Sequence, residues 1–293
     1  MCVQALWLGR IFYGYYSFFR YFCTMNVEEA YTNAEKANSE HLKGRIITAD
    51  EAIKSYLTRS GISVFSLKAA LIDMDGVLYD SMPNHTRAWK RMAEEMGITC
   101  TREEFYAYEG MTGIATINIL FRRAFNRDVT PDEATALYAK KQEYFRSFGS
   151  PRLMPNADRM LGVLRSSGIT RVLVTGSGQQ SILQRIDRDY PGIFLEGKRV
   201  TAHDVVNGKP DPEPYLRGAQ FAGCLPSQCI VIENAPLGIT AGHRAGCFVV
   251  GITTGPIPDD QMLQAGADIL FSGMTEFADA LPSLIHSLAV TKL

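Results

Sequence analysis

Four short runs in this chain lack the alternation of apolar and polar residues that marks a half-solvated strand. They are Ala69-Ala70-Leu71-Ile72, Arg171-Val172-Leu173-Val174, Ile230-Val231-Ile232 and Phe248 to Ile252. A strand buried on both faces of a parallel sheet reads as a near-continuous apolar stretch, so these runs are expected to be strands of one such sheet. Helical periodicity falls between and after them: Asp158 to Ser166 ending near Gly168, a helix from Pro236-Leu237-Gly238 to Ala245, and a last one after Met274. Strands alternating with helices in this way predict an α/β fold.

Between the first run and the second the rhythm is suspended. From about His85 to Phe148 only helical patterns occur: Ala88-Trp89 through Met96 closed by Gly97, Glu103 to Tyr108, Ile114 to Phe125, and a helix opened by Thr130-Pro131-Asp132-Glu133. Proline at the first helical position and acids in the first turn are start signals. An all-helical insertion directly after the first strand is expected to stand over the carboxyl ends of the sheet as a cap, able to exclude water and close on a ligand.

Upstream, Val27 to about Arg59 reads as polar and helical. Thr48-Ala49-Asp50-Glu51 has capping-box spacing, Ile53, Tyr56 and Leu57 form an apolar stripe, and Gly61 is the expected stop. Met1 to Thr24 crowds aromatic and apolar side chains around Arg10 and Arg20, which count against both a spanning helix and a signal peptide. That stretch is read as an upstream extension from a misassigned start, with weak attachment to a membrane surface as the alternative. The expected organisation is therefore an extension over 1–24 and a helical appendage over 25–65, structural or oligomeric in role. An α/β core over 66–83 and 151–293 and a cap over 84–150 complete it.

Composition narrows the partners. The 293 residues suffice for a substantial core, and a formal net charge of −1 leaves no electrostatic footprint for nucleic acid or an anionic membrane. A small-molecule partner is expected; the oligomeric state stays open. Cys2, Cys23, Cys100, Cys224, Cys229 and Cys247 include no CxxC pair and no companion histidine at ligand spacing. They read as reduced thiols of a cytoplasmic protein, not as a zinc site or a disulfide frame.

The chemistry gathers where the strands end. Asp73 and Asp75 follow the first run, with Gly76 next. In open α/β sheets ligands bind outside the carboxyl ends of the strands, and two carboxylates this close are tolerated mainly where a cation shares the site. A turn rich in Asp and Gly is the plain alternative. Thr175-Gly176-Ser177-Gly178 ends the second run and offers hydroxyls and backbone N–H groups to a phosphate, or simply a strand-to-helix turn. GxGxxG is not satisfied, so a dinucleotide fingerprint is unsupported. Lys209 sits in a loop stiffened by Pro210, Pro212 and Pro214, which would hold a cation in place, although an isolated lysine is usually a surface charge. Glu233-Asn234 ends the third run. The ordered set is far more specific than any member.

In that order the set resembles the four motifs of the haloacid dehalogenase superfamily: Asp73-Met74-Asp75-Gly76, Thr175, Lys209 with Pro210, and Glu233-Asn234, with the likeness covering about residues 66–290. The helical cap after the first motif looks like the β-phosphoglucomutase-like branch. The resemblance implies a Rossmann-like parallel sheet with an inserted helical cap, a magnesium ion and an aspartyl-phosphate intermediate. Asp73 would be the nucleophile and Asp75 the general acid and base. Thr175 and Lys209 would bind the transferring phosphoryl group. Magnesium would be held by Asp73, the backbone oxygen of Asp75 and Asn234, with Glu233 bound directly or through water.

Two departures bear on the substrate. Many relatives carry aspartate where this chain has Asn234, so the ligand set has one negative charge fewer. The loop Tyr106-Ala107-Tyr108-Glu109-Gly110-Met111-Thr112-Gly113 has no Lys or Arg, and Glu109 stands where mutases of the branch carry a cation. The stretch Glu109 to Leu120 looks most like bacterial inorganic pyrophosphatases of the branch. Lys141 matches a cap lysine, and His85 a residue near the cap hinge. A plain helix-end charge at Glu109 and a structural histidine at His85 are the alternatives. A phosphohydrolase of pyrophosphate or a sugar phosphate is expected, against a phosphomutase and a non-catalytic binding module.

Overall fold

The computed structural model describes residues 48–177 and 180–293; the readings made for 1–24, for the appendage before Thr48 and for Gly178 lie outside the described residues. The first element is α1, Ala49–Ser60. Thr48 Oγ1 accepts from Glu51 N–H at 3.3 Å while Glu51 Oε2 accepts from Thr48 N–H at 3.1 Å, so the capping box is complete. Gly61, at φ 69°, ends the helix in the left-handed region open to glycine.

The face of α1 formed by Ala52, Ile53, Tyr56 and Leu57 is buried. The Tyr56 ring meets Phe65 and Phe248 edge-on, each at 5.4 Å, and its hydroxyl donates to Gly246 O at 3.0 Å. Arg59 pairs with Asp268 at 2.9 Å. Burying each such apolar side chain contributes about 1.5–3 kcal/mol, so this one helix supplies a gross term comparable with the net stability of a domain.

The sheet follows the order β5-β4-β1-β6-β7-β8, with every pairing parallel. Its strands are β1 (Ala69–Ile72), β4 (Thr170–Val174), β5 (Arg199–Val200), β6 (Cys229–Glu233), β7 (Phe248–Ile252) and β8 (Ile269–Phe271). β1 is central: Ile72 is in register with Leu173 on one side and Ile232 on the other. The residues that follow β1, β4 and β6 therefore emerge side by side. Side chains of alternate strand residues enter two separate cores. Ala70, Ile72, Leu173 and Ile232 face one with α1, α6 (Ala157–Ser166) and α11 (Met274–Val290). Leu71, Val172, Val174 and Val231 face the other with α8 (Glu213–Ala222) and α9 (Pro236–Arg244).

The helical cap comprises α2 (Met82–Glu95), α3 (Glu104–Ala107), α4 (Gly113–Phe125) and α5 (Pro131–Ser147). It has an apolar cluster of its own around Trp89, Met92, Phe105, Ile117, Leu120 and Phe121. The chain enters and leaves the cap through a two-stranded antiparallel ribbon, β2 (Tyr79–Asp80) against β3 (Arg152–Leu153). This ribbon, β5, β8, α7 (Gln180–Asp189) and the short α10 (Asp259–Gln264) are elements that periodicity did not reveal.

Candidate active site

Asp73 leaves β1 with its N–H still donating to Ile232 O at 3.0 Å, which fixes the direction of its side chain. Three residues on, Gly76 has φ 79°, and a Cβ there would lie 2.0 Å from Asn234 Nδ2. Only glycine lets the turn after β1 pass that close to the residue after β6.

Beneath Asp73 lies a buried cation. Lys209 Nζ donates to Asp73 Oδ1 and Glu233 Oε1, each at 2.5 Å, and lies 3.4 Å from Val174 O. Those contacts account for the three donors of an ammonium group. Burial works against the charge of Lys209, but Asp73 and Glu233 outweigh it and hold the pKa above the ordinary lysine value. Burial raises Asp73 well above the usual carboxylate range; Lys209 opposes this, and Glu233 and Asp75 reinforce it.

Glu233, expected at a metal directly or through water, has both carboxylate oxygens engaged by protein groups here. Its Oε1 accepts from Lys209 and from Tyr215 Oη at 2.7 Å, and its Oε2 from the N–H groups of Asn234 at 3.0 Å and Ala235 at 3.2 Å. It positions the lysine. Lys209 likewise has its ammonium engaged by protein, so contact with a phosphoryl oxygen requires it to exchange one of these partners. Thr175 Oγ1 accepts from Ser177 N–H at 3.1 Å, which shapes the turn after β4.

Asp75 belongs to a second chain of contacts. Ser81 Oγ donates to Asp75 Oδ1 at 2.5 Å, and His85 Nε2 lies 3.3 Å from the same oxygen but out of hydrogen-bonding alignment. Lys141 Nζ is 2.7 Å from His85 Nδ1; when the lysine is charged it can only donate, which puts the proton of a neutral His85 on Nε2, facing Asp75. Burial opposes the Asp75 charge, yet His85, Ser81 and Lys141 hold its pKa below the ordinary value. Burial lowers Lys141 to about 7 against the pull of Asp75. The lysine sits over the rings of Trp89, Phe145 and Tyr138 at 4.8, 5.4 and 5.9 Å. Sequence reasoning assigned no role to Ser81, Tyr215 or these rings. Ser81 lies within reach of the first motif and was open to discovery; the others come close only through folding.

The cap loop closes the top. Glu109 is buried, and its Oε1 accepts from Asn234 Nδ2 at 2.8 Å. Burial pushes the Glu109 pKa well up, the Asn234 bond opposes it, and Asp73, Glu233 and Asp75 add to it. Asn234 Oδ1 is buried without a donor. Among the described residues no group of His, Cys, Asp and Glu side chains converges as a ready metal site. The donors expected for a cation here include an amide and a main-chain carbonyl, which lie outside that set. A cavity of about 70 Å³ is lined by Asp73, Asp75, His85, Glu109, Lys141, Gly176 and Ser177 together with Trp89, Tyr108 and Tyr138. Thr175, Lys209, Glu233 and Asn234 lie outside this lining.

Known proteins share this architecture. The haloacid dehalogenase-like hydrolase family model matches residues 67–246. The chain is 33% identical over 186 residues to hexitol phosphatase A of Escherichia coli, covering 63% of this chain and 82% of that protein. It is 28% identical over 228 residues to β-phosphoglucomutase of Bacillus subtilis, covering 75% of this chain and 94% of that protein. A solved structure described as a putative β-phosphoglucomutase from Bacteroides vulgatus superposes with a TM-score of 0.79 at 44% identity, over 82% of this chain and 98% of that one. With the motif residues brought to the ends of β1, β4 and β6 beneath a helical cap, the chain belongs to the haloacid dehalogenase-like hydrolases.

Proposed function

We propose that this chain is a magnesium-dependent phosphohydrolase acting on a small phosphorylated compound through a phosphoaspartate on Asp73. The observation that carries the reading is the placing of Asp73: a carboxylate after the central strand, tied to a buried lysine and lining a cavity beside a second acid.

In this mechanism Asp75, ionised in the resting site, first takes up a proton from water as the phosphate's negative charge enters; an Asp73 oxygen then attacks phosphorus, and the bond to the leaving oxygen breaks as Asp75 passes that proton to it. Asp75 then takes a proton from the water that cleaves the acyl phosphate. Ser81 holds Asp75 in line for both transfers, with the His85 ring beside the same oxygen. Lys209 gives up part of its hold on Asp73 to meet the phosphoryl oxygens, and the N–H group of Gly176 supplies a further donor. Asp73, the main-chain carbonyl of Asp75 and Asn234 would hold magnesium. The donorless Asn234 Oδ1 and the burial-raised Asp73 fit a cation, since both are relieved by one. The ion, when bound, supplies the positive charge that lets an anionic phosphate approach two carboxylates.

The substrate is small. The space of about 70 Å³ left over Asp73 is limited, which favours pyrophosphate or the phosphate of a short sugar or polyol. The described relatives named for hexitol phosphate and β-phosphoglucose chemistry favour the sugar class, and Glu109 on the cap favours a metal-complexed pyrophosphate. A mutase is the second reading, favoured by the Bacillus subtilis and Bacteroides vulgatus proteins; Glu109 counts against it, because a carboxylate repels a second phosphate.

A magnesium-dependent phosphate-release screen over pyrophosphate, hexose and hexitol phosphates and β-glucose 1-phosphate tests this. Release from at least one is expected. Conversion of β-glucose 1-phosphate to the 6-phosphate without net release would establish the mutase instead.

A further inference from the structure

The cap loop rests on the core through a contact with no spare room. Thr112 is the N-cap of α4: its Oγ1 accepts from Ala115 N–H at 3.3 Å, which fixes the side-chain rotamer and with it the position of Cγ2. A Cβ on Gly208 would lie 2.7 Å from Thr112 Cγ2 and 3.4 Å from Thr112 N. Carbon atoms pack at about 3.5–4.0 Å, so a side chain at 208 forces either the threonine to rotate off its cap or the loop to rise. Gly208 does not have the left-handed backbone that would demand glycine. Its missing side chain is required by the cap, not by its own conformation.

The neighbouring contact has the same character. A Cβ on Gly176 would lie 3.1 Å from Gly110 O and 3.4 Å from Met111 O. Two core glycines, after β4 and before Lys209, thus receive residues 110–112 of the cap. The descent they permit is what carries Glu109 to Asn234 and leaves the cavity at about 70 Å³.

We propose that Gly208 and Thr112 form the stop that sets how far the cap loop descends over Asp73, and that this depth selects small phosphorylated substrates over bulky ones. The proposal rests on the phosphohydrolase reading above. Any side chain at 208 holds the loop up, draws Glu109 from Asn234 and opens the site. The closed cap then loses the transition-state contacts that a small substrate needs, while an aryl phosphate that projects from the site is indifferent.

The test is a double-mutant cycle in the full chain with Gly208→Ala and Thr112→Ser, the serine keeping the capping oxygen while deleting Cγ2. Hydrogen–deuterium exchange of the backbone amides at 109–113 reads the loop. The ratio of kcat/KM for the best small substrate of the phosphate-release screen to that for p-nitrophenyl phosphate reads selectivity. Gly208→Ala is expected to speed exchange and lower the ratio about tenfold or more, with p-nitrophenyl phosphate turnover within about twofold of the parent. The double variant is expected to recover the ratio to within about threefold. Unchanged exchange in Gly208→Ala, a changed loop with an unchanged ratio, or no recovery in the double variant would each overturn the proposal. Absence of phosphate release by the parent chain defeats the phosphohydrolase reading instead, and the exchange arm still decides whether the stop exists.

Discussion

Asn234, one residue beyond β6, donates its side-chain amide to Glu109 of the cap at 2.8 Å, so the end of a core strand and the cap loop meet through a hydrogen bond. The amide is the right group there. An aspartate at 234 would set two carboxylates against each other in a buried site, where the Glu109 charge is already disfavoured by burial and by Asp73, Glu233 and Asp75. The neutral residue at 234 and the acid at 109 therefore belong together.

Glu109→Ala is expected to lower pyrophosphate hydrolysis by about two orders of magnitude or more while changing slow turnover of a generic phosphate ester much less. Only a substrate enclosed by the closed cap loses transition-state contacts when the carboxylate goes. Steady-state kcat/KM on both substrates decides it. Equal small losses on each would reduce Glu109 to a structural contact and remove pyrophosphate from consideration.

Asp73→Asn is expected to abolish turnover with the fold intact. The amide keeps an oxygen for Lys209 but cannot form the acyl phosphate. Circular dichroism and thermal melting check the fold, and phosphate release checks turnover. Near-normal activity in this variant would end the phosphoaspartate mechanism.

Activity is expected to require magnesium and to be suppressed by calcium. The donors proposed are all oxygens, which either ion accepts, but the larger and looser calcium shell spoils the alignment of Asp73 with phosphorus. The check is a chelator titration followed by addition of each metal in turn; full activity in the chelator contradicts the assignment.

Tyr56→Ala is expected to cost about 3–5 kcal/mol of stability, because it empties the space between Phe65 and Phe248 and leaves Gly246 O without its donor. Tyr56→Phe, losing the hydroxyl alone, is expected to cost about 1 kcal/mol. Urea denaturation measures both. A loss below about 1 kcal/mol for the alanine would make α1 peripheral to the fold.

Local pattern carried much of this protein. The buried run at Ala69–Ile72 and the one at Phe248–Ile252 are strands with those bounds, the Thr48 to Glu51 spacing is a capping box, and Gly61 ends its helix. Such features are legible because their cause lies within a few residues: burial on both faces suppresses polar alternation, and a cap needs only its own first turn. Membership in the family was legible for a related reason, since three of the four motifs follow the end of a readable strand and the fourth, Lys209 with Pro210, lies in a loop marked by its prolines. The edge strands Arg199–Val200 and Ile269–Phe271 and the ribbon of Tyr79–Asp80 with Arg152–Leu153 were not, because two or three residues become a strand only when a partner pairs with them. The partnerships in the site were hidden more deeply. That Glu233 holds Lys209, that Asn234 reaches Glu109 and that Gly208 receives Thr112 are decided by how the cap and three strand ends pack. These contacts join residues far apart in the chain, and no periodicity or spacing encodes a distance that only the tertiary structure sets.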